Sequence, residues 1–162
     1  MITKNHSKQQ GVYAVEFAIA GSLFFLLLFA VLEMGRLFFT WNVLTEVTRR
    51  GARLATVCYF DTTNIAAFDD MISMSLFNNQ AIISNLSAAN LQIQYLMDDG
   101  TQVISSVDAN FIHFVKVDIV NYQHQLLIPG LFLTLDSPSF STTLPSESLG
   151  VTPNTTTLCT PT

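Results

Sequence analysis

Between Val12 and Leu32 the chain reads VYAVEFAIAGSLFFLLLFAVL, a run with one charge, Glu16. As an α-helix this run spans about 31 Å, close to the roughly 30 Å of a bilayer's hydrocarbon core. It predicts a single membrane-crossing helix, and the rest of the chain must fold beside it. A cleaved secretory signal fits less well, because its apolar core would be shorter and a small-x-small site should follow it. Here the run is followed by Glu33-Met34-Gly35-Arg36. Only 12% of the 162 residues are charged and 49% are apolar, about half the charge content of ordinary soluble domains. That composition excludes a disordered chain and a basic nucleic-acid binder, and it suits a membrane or an assembly better than a cytosolic enzyme.

The charges are divided along the chain. Residues 1–53 carry Lys4, Lys8, Arg36, Arg49, Arg50 and Arg53 against Glu16, Glu33 and Glu46, whereas residues 54–162 carry Lys116 alone against nine acids. An acidic C-terminal region repels phosphate backbones, so no nucleic-acid partner is expected. Lys4, Lys8 and the α-amino group favour a cytoplasmic N-terminus under the positive-inside rule, with the C-terminal region on the other side of the membrane. Arg49, Arg50 and Arg53 oppose that orientation unless they belong to a folded surface. The pattern around them supports the folded surface. Leu37, Trp41, Leu44, Thr48 and Ala52 recur at three- and four-residue steps, predicting an amphipathic helix that continues the span through residues 33–58. Glu46 stands three and four residues before Arg49 and Arg50, the favourable order for helix ion pairs.

An acid within an apolar span costs about 2.5–3.5 kcal/mol on insertion scales and implies a partner. Glu16 is either a snorkelling residue near the interface or a paired one. Its surroundings point to pairing. A polar basic leader, MITKNHSKQQG, ends at Gly11; the apolar helix starts at Val12, with Glu16 as its fifth residue. This arrangement resembles a type IV prepilin site, which a prepilin peptidase cuts after the glycine at the cytoplasmic face. The resemblance implies cleavage between Gly11 and Val12, and pairing of the new Val12 α-amino group with Glu16 of a neighbouring subunit.

The longer string GVYAVEFAIAGSLFFLLLFAVLEMGRLFF narrows the resemblance to the TadE-like pseudopilins of tight adherence (Tad, or Flp) pilus systems. The residues that carry it are Gly11, Glu16, Phe17, Glu33, Gly35, Arg36 and Phe38, then Ala52-Arg53, and more weakly the Leu144–Gly150 run LPSESLG. It covers residues 11–58 and, less well, 138–150. One departure is Gly21, where relatives often have proline. The resemblance implies a minor pseudopilin, structural and not enzymatic, with Glu16 and Phe17 at the assembly surface. Its expected partners are a prepilin peptidase, other pilins or pseudopilins, the Tad inner-membrane platform and membrane lipid. The alternative is an uncleaved single-span anchor whose outer domain binds a partner.

Beyond residue 58 the pattern is that of a small fold. Ile65–Leu76 predicts a helix with Ile65, Phe68, Ile72 and Leu76 on one face. Leu91, Ile93, Tyr95 and Met97 alternate as in a half-buried strand. Asp98-Asp99-Gly100 then signals a tight hairpin with Thr101–Ser106 returning. Phe111–Tyr122 predicts a strand with Phe111, Val115, Val117 and Ile119 sharing a face, broken by Pro129-Gly130, and Ser139–Leu144 predicts another. The expected fold is α+β: a long N-terminal transmembrane and amphipathic helix followed by a small antiparallel, pilin-like sheet. Its expected parts are a leader (1–11), a span (12–32), an amphipathic continuation (33–58), a periplasmic domain (59–150) and a C-terminal tail (151–162).

Cys58 and Cys159 are the only cysteines. In an oxidising compartment they suggest one disulfide tying the tail to the end of the first helix; the alternative is a buried thiol at Cys58 and a free one at Cys159. No catalytic, cofactor or metal constellation is legible. His6, His113 and His124 are isolated in sequence, with His113 read as a packed or surface residue. Asp69-Asp70 and Asp98-Asp99 read as a helix turn and a hairpin, and Ser146-Glu147-Ser148 lacks the glycine frame of a nucleophile elbow. Arg36 either pairs with Glu33 three residues earlier or simply anchors the helix at the interface.

Overall fold

The computed structural model describes residues 7–59, 65–80, 82–103, 110–127, 133–156 and 159. Its first element, α1 (Ser7–Val57), is one unbroken 51-residue helix, about 77 Å long at 1.5 Å per residue. After it come α2 (Ile65–Ser75), a 3₁₀ turn (Ala88–Asn90), β1 (Leu91–Leu96), β2 (Phe114–Ile119), β3 (Gln123–Gln125), β4 (Thr134–Asp136) and β5 (Ser141–Pro145). The α+β plan read from the sequence is therefore observed. The apolar helix begins earlier than expected, at Ser7 instead of Val12. Lys8, Gln9 and Gln10 are adequate helix formers, and Gly11 alone does not stop the turn.

The two halves of α1 have different surroundings. Its apolar window near the N-terminus is wholly uncovered by the protein, which separates it from the core helix of a soluble fold. From Leu37 onward one face is buried: Leu37, Val43, Leu44, Val47, Thr48, Ala52 and Ala55 are all shielded from solvent. This is the stripe expected from the three- and four-residue spacing. It packs on β2, through Val115 and Val117, and on α2, through Met71, Ile72 and Leu76. Burial of each such side chain contributes about 1.5–3 kcal/mol. Gly51 allows the close approach, since a Cβ there would stand 3.2 Å from Val117 Cγ1 and 3.3 Å from Ser75 Oγ.

The main sheet has the order β1-β2-β5, antiparallel throughout. Its register sets Leu91, Ile93 and Tyr95 opposite Ile119, Val117 and Val115. Thus β2 takes one edge of β1, and the first residues after Gly100 take the other. The Asp-Gly turn forms, with Gly100 N–H donating to Met97 O at 3.0 Å, and the return pairs at Val103, whose N–H donates to Tyr95 O at 2.8 Å, beside a bridge between Leu96 and Gln102. Residues 104–106 of the expected return strand lie outside the described residues. Val103, just after the turn, is buried in the core. Phe111 is a second correction: it is exposed, in a turn before β2, while Ile112 is buried in its place. The expected strand is further divided at Asn121, whose positive φ of 53° separates β2 from β3, and β3 pairs with β4 in a small second hairpin.

Contacts along α1 show the direction of the chain. Ser146 and Leu149 lie near the helix end, where Leu149 N–H donates to Thr56 O at 3.0 Å. Thr142 Oγ1 meets Thr48 Oγ1 at 2.9 Å, Tyr122 faces Thr40 and Arg36, and His124 reaches Glu33. The segment from β2 to β3 therefore descends along α1 towards the uncovered helix.

Candidate functional site

Three regions hold the residues singled out by the sequence. The first is the bare helix. Gly11, Val12, Glu16 and Phe17 all lie on α1 and are exposed, Phe17 at 80%. Val12 and Glu16 are four residues apart, so they share a helix face one turn from each other. A Cβ at Gly11 would meet nothing within 4 Å. Glu16 makes no hydrogen bond or ion pair among the described residues. Among the described residues, none of these side chains is buried in the fold.

The second region is the base of the domain, where α1 becomes covered. Glu33 is the first residue after the apolar run, yet only 8% exposed. Arg36 binds it through two guanidinium nitrogens, at 2.5 Å from Nη2 and 3.2 Å from Nε. His124 of β3 closes the other side, Nε2 to Oε1 3.3 Å. A carboxylate only accepts, so His124 carries its proton on Nε2. Arg36 also donates to the Gln125 carbonyl, and Leu127 N–H adds to the carboxylate. The Arg36 guanidinium holds the Glu33 carboxyl below the usual carboxylate range, against the opposing effect of burial; His124 and Leu127 act in the same direction as Arg36. Burial pushes the Tyr122 hydroxyl up; that hydroxyl donates to Ser84 O at 3.0 Å. The cluster clamps the β3–β4 hairpin onto α1.

Of the two readings open for Arg36, pairing with Glu33 is the observed one. His124, isolated in sequence, is not isolated in space: it is buried against that pair. The signal available was alternation, since Tyr122 and His124 are buried while Gln123 and Gln125 are exposed. The Glu46 ion pairs are absent among the described residues. Glu46 is exposed, and Arg50 lies 4.4 Å over the Phe77 ring, across from α2. Arg50 thus belongs to a folded surface. His113 is exposed at the foot of β2.

The third region is the end of α1. Cys58 and Cys159 form a disulfide, Cα–Cα 5.5 Å, over a separation of 101 residues. Closing such a loop stabilises by up to about 4.7 kcal/mol in the chain-entropy model. The Leu144–Gly150 run passes beside it. Gly150 has φ +71°, and a Cβ there would stand 2.2 Å from Tyr59 N. The run ends as a backbone-to-backbone seat on the end of the helix.

No group of three or more His, Cys, Asp or Glu side chains able to hold a metal converges among the described residues. A shallow cleft of about 330 Å³ at Ile119, Tyr122 and Asp136 brings no acid–base pair together. A family model described as TadE-like protein matches residues 11–53. No curated protein and no solved structure matches the chain. The matched span includes the bare helix, the Glu33–Arg36 pair and the first half of the buried stripe.

Proposed function

From this TadE-like segment, we propose that the chain is a minor pseudopilin of a Tad (Flp) pilus, a structural component processed after Gly11 by a prepilin peptidase. The observation that carries the proposal is the Val12–Leu32 helix with Glu16 inside it: long enough to cross a bilayer, uncovered by its own domain, and carrying an acid with no partner among the described residues. An acid left unpaired in lipid is costly. A Val12 α-amino group released by cleavage is a suitable counter-charge on an adjacent subunit. The helix is inserted with its N-terminus in the cytoplasm and the α+β domain in the periplasm. The seating of Arg50 on Phe77 supports that orientation, because it accounts for one basic residue beyond the span as part of a folded surface. Other pilin helices pack against small residues such as Ala14, Ala18, Ala20 and Gly21, with Phe17 beside them.

Glu16→Ala is expected to leave membrane insertion and folding intact, because the side chain is exposed and unpaired among the described residues, and to reduce pilus assembly severely. Counting surface pili and membrane-fractionating the variant in the same cells tests both halves; normal piliation would remove Glu16 from assembly. Gly11→Ala is expected to slow or abolish leader removal without affecting the fold, since its Cβ would enter open space. An unchanged cleavage rate by gel mobility would refute the site. The continuity of α1 through Gly11 favours a second reading, an uncleaved anchor whose outer domain binds a partner. On the leading reading the peptidase opens this turn locally, at the residue where a helix interior is weakest by about 1 kcal/mol.

A further inference from the structure

We propose that the β3–β4 hairpin makes a second membrane contact through Leu127 and Leu133, seated in the headgroup–acyl boundary of the bilayer beside α1. The proposal rests on the membrane-spanning reading of Val12–Leu32, and its occupant is lipid. Three observations carry it. First, the hairpin runs down the helix: Tyr122 stands at Thr40 and Arg36, His124 at Glu33, and Leu127 N–H reaches the Glu33 carboxylate. Glu33 directly follows the last residue of the span, and a helical side chain covers the turn N-terminal to its own Cα. Leu127 therefore lies level with the last turn of the span. Second, the strands stay paired to that depth, with Leu126 N–H donating to Leu133 O at 2.9 Å. There Leu127 is 66% exposed and Leu133 47% exposed. Third, the sequence from Leu126 to Leu133, LLIPGLFL, has no charged or hydrogen-bonding side chain.

Two exposed leucines at this level are unfavourable in water and favourable where the span's own exposed leucines already meet acyl chains. The surface is continuous with that lipid-facing helix. One and two turns above, Met34, Phe38 and Phe39 are also exposed, and Phe38 packs edge-on against Trp41 at 5.8 Å, the aromatic enrichment expected at a membrane interface. The Glu33–Arg36–His124 clamp then has a second consequence. It holds the hairpin at a fixed depth, so the domain meets the membrane at two points and cannot swing freely about the helix.

The test uses the full chain in lipid nanodiscs, on a Trp41→Phe background, with one new tryptophan per variant. Leu127→Trp and Leu133→Trp report the hairpin, Phe24→Trp the span, and Phe111→Trp the opposite end of the domain; all four positions are exposed. Acyl-brominated phosphatidylcholine should quench Leu127→Trp and Leu133→Trp at least about half as strongly as Phe24→Trp, as for side chains roughly 5–10 Å into the headgroup–acyl boundary. Phe111→Trp should be unaffected. Quenching of Phe24→Trp without quenching of either hairpin tryptophan overturns the hairpin contact alone. Absence of quenching at Phe24→Trp overturns the span and the hairpin together. Hairpin tryptophans that become shielded only when pilin subunits are added show a protein contact in place of lipid, which also overturns the proposal.

Discussion

Gly150→Ala should destabilise the domain by about 2–5 kcal/mol, combining about 1–2 kcal/mol for a left-handed residue with a Cβ and about 1–3 kcal/mol for overpacking. The overpacking is against backbone, which cannot rotate away: the new Cβ would lie 2.2 Å from Tyr59 N, 2.5 Å from Tyr59 Cα and 2.8 Å from Cys58 C. Relief requires the Leu144–Gly150 run to lift off the end of α1. That would break the Leu149-to-Thr56 hydrogen bond and pull on the adjacent Cys58–Cys159 disulfide. Gly100 provides the control. Its φ is +81°, but a Cβ there meets nothing within 4 Å, so Gly100→Ala should cost only the backbone part, about 1–2 kcal/mol. Urea unfolding of the two variants in detergent separates them. Equal midpoints would mean that Gly150 is not in close contact with the helix end.

The second large effect is expected at the base of the domain. Glu33→Gln keeps the size of the side chain but removes the charge held between Arg36 and His124. Breaking a buried pair costs about 3–5 kcal/mol. Because the Arg36 side chain is 30% exposed and regains water, about 2–3 kcal/mol is the expected loss here. The pH dependence follows from the lowered carboxyl. Glu33 binds its proton less readily folded than unfolded, so its stabilisation is complete above the ordinary value of 4.5. It is lost as pH falls through the lower folded value. Native and Glu33→Gln proteins should therefore differ most above pH 4.5 and converge in more acidic solution. A difference independent of pH would remove the charge from the explanation.

How much of this was legible in the sequence depends on the range of the interaction. The span, the buried stripe of α1 and helix α2 are periodic and local, and they were readable from Leu37, Leu44, Thr48, Phe68 and Ile72. The mate of β1 was not. The Asp-Gly turn announces the hairpin on one edge of β1, but nothing local names β2, whose Val115, Val117 and Ile119 pair with the other edge. The clamp was half legible. Glu33 and Arg36 are a local pair, whereas His124 comes from 91 residues away and has no signature beyond its alternation with Gln123 and Gln125. Gly150 was visible only as part of a familiar run; its reason, a backbone approach to Tyr59, is a tertiary fact. At the N-terminus the order reverses. Gly11, Val12, Glu16 and Phe17 are legible in sequence and lie exposed on α1.

The central claim is that this chain is cut and then assembled through its bare helix. It is tested most directly by the mature N-terminus, read by intact mass with and without the co-expressed prepilin peptidase. A peptidase-dependent chain beginning at Val12 is the predicted result, and it would supply the α-amino group that Glu16 requires. A chain still beginning at Met1, beside a control pilin cleaved in the same cells, would contradict the claim and make α1 a permanent anchor for the domain it carries.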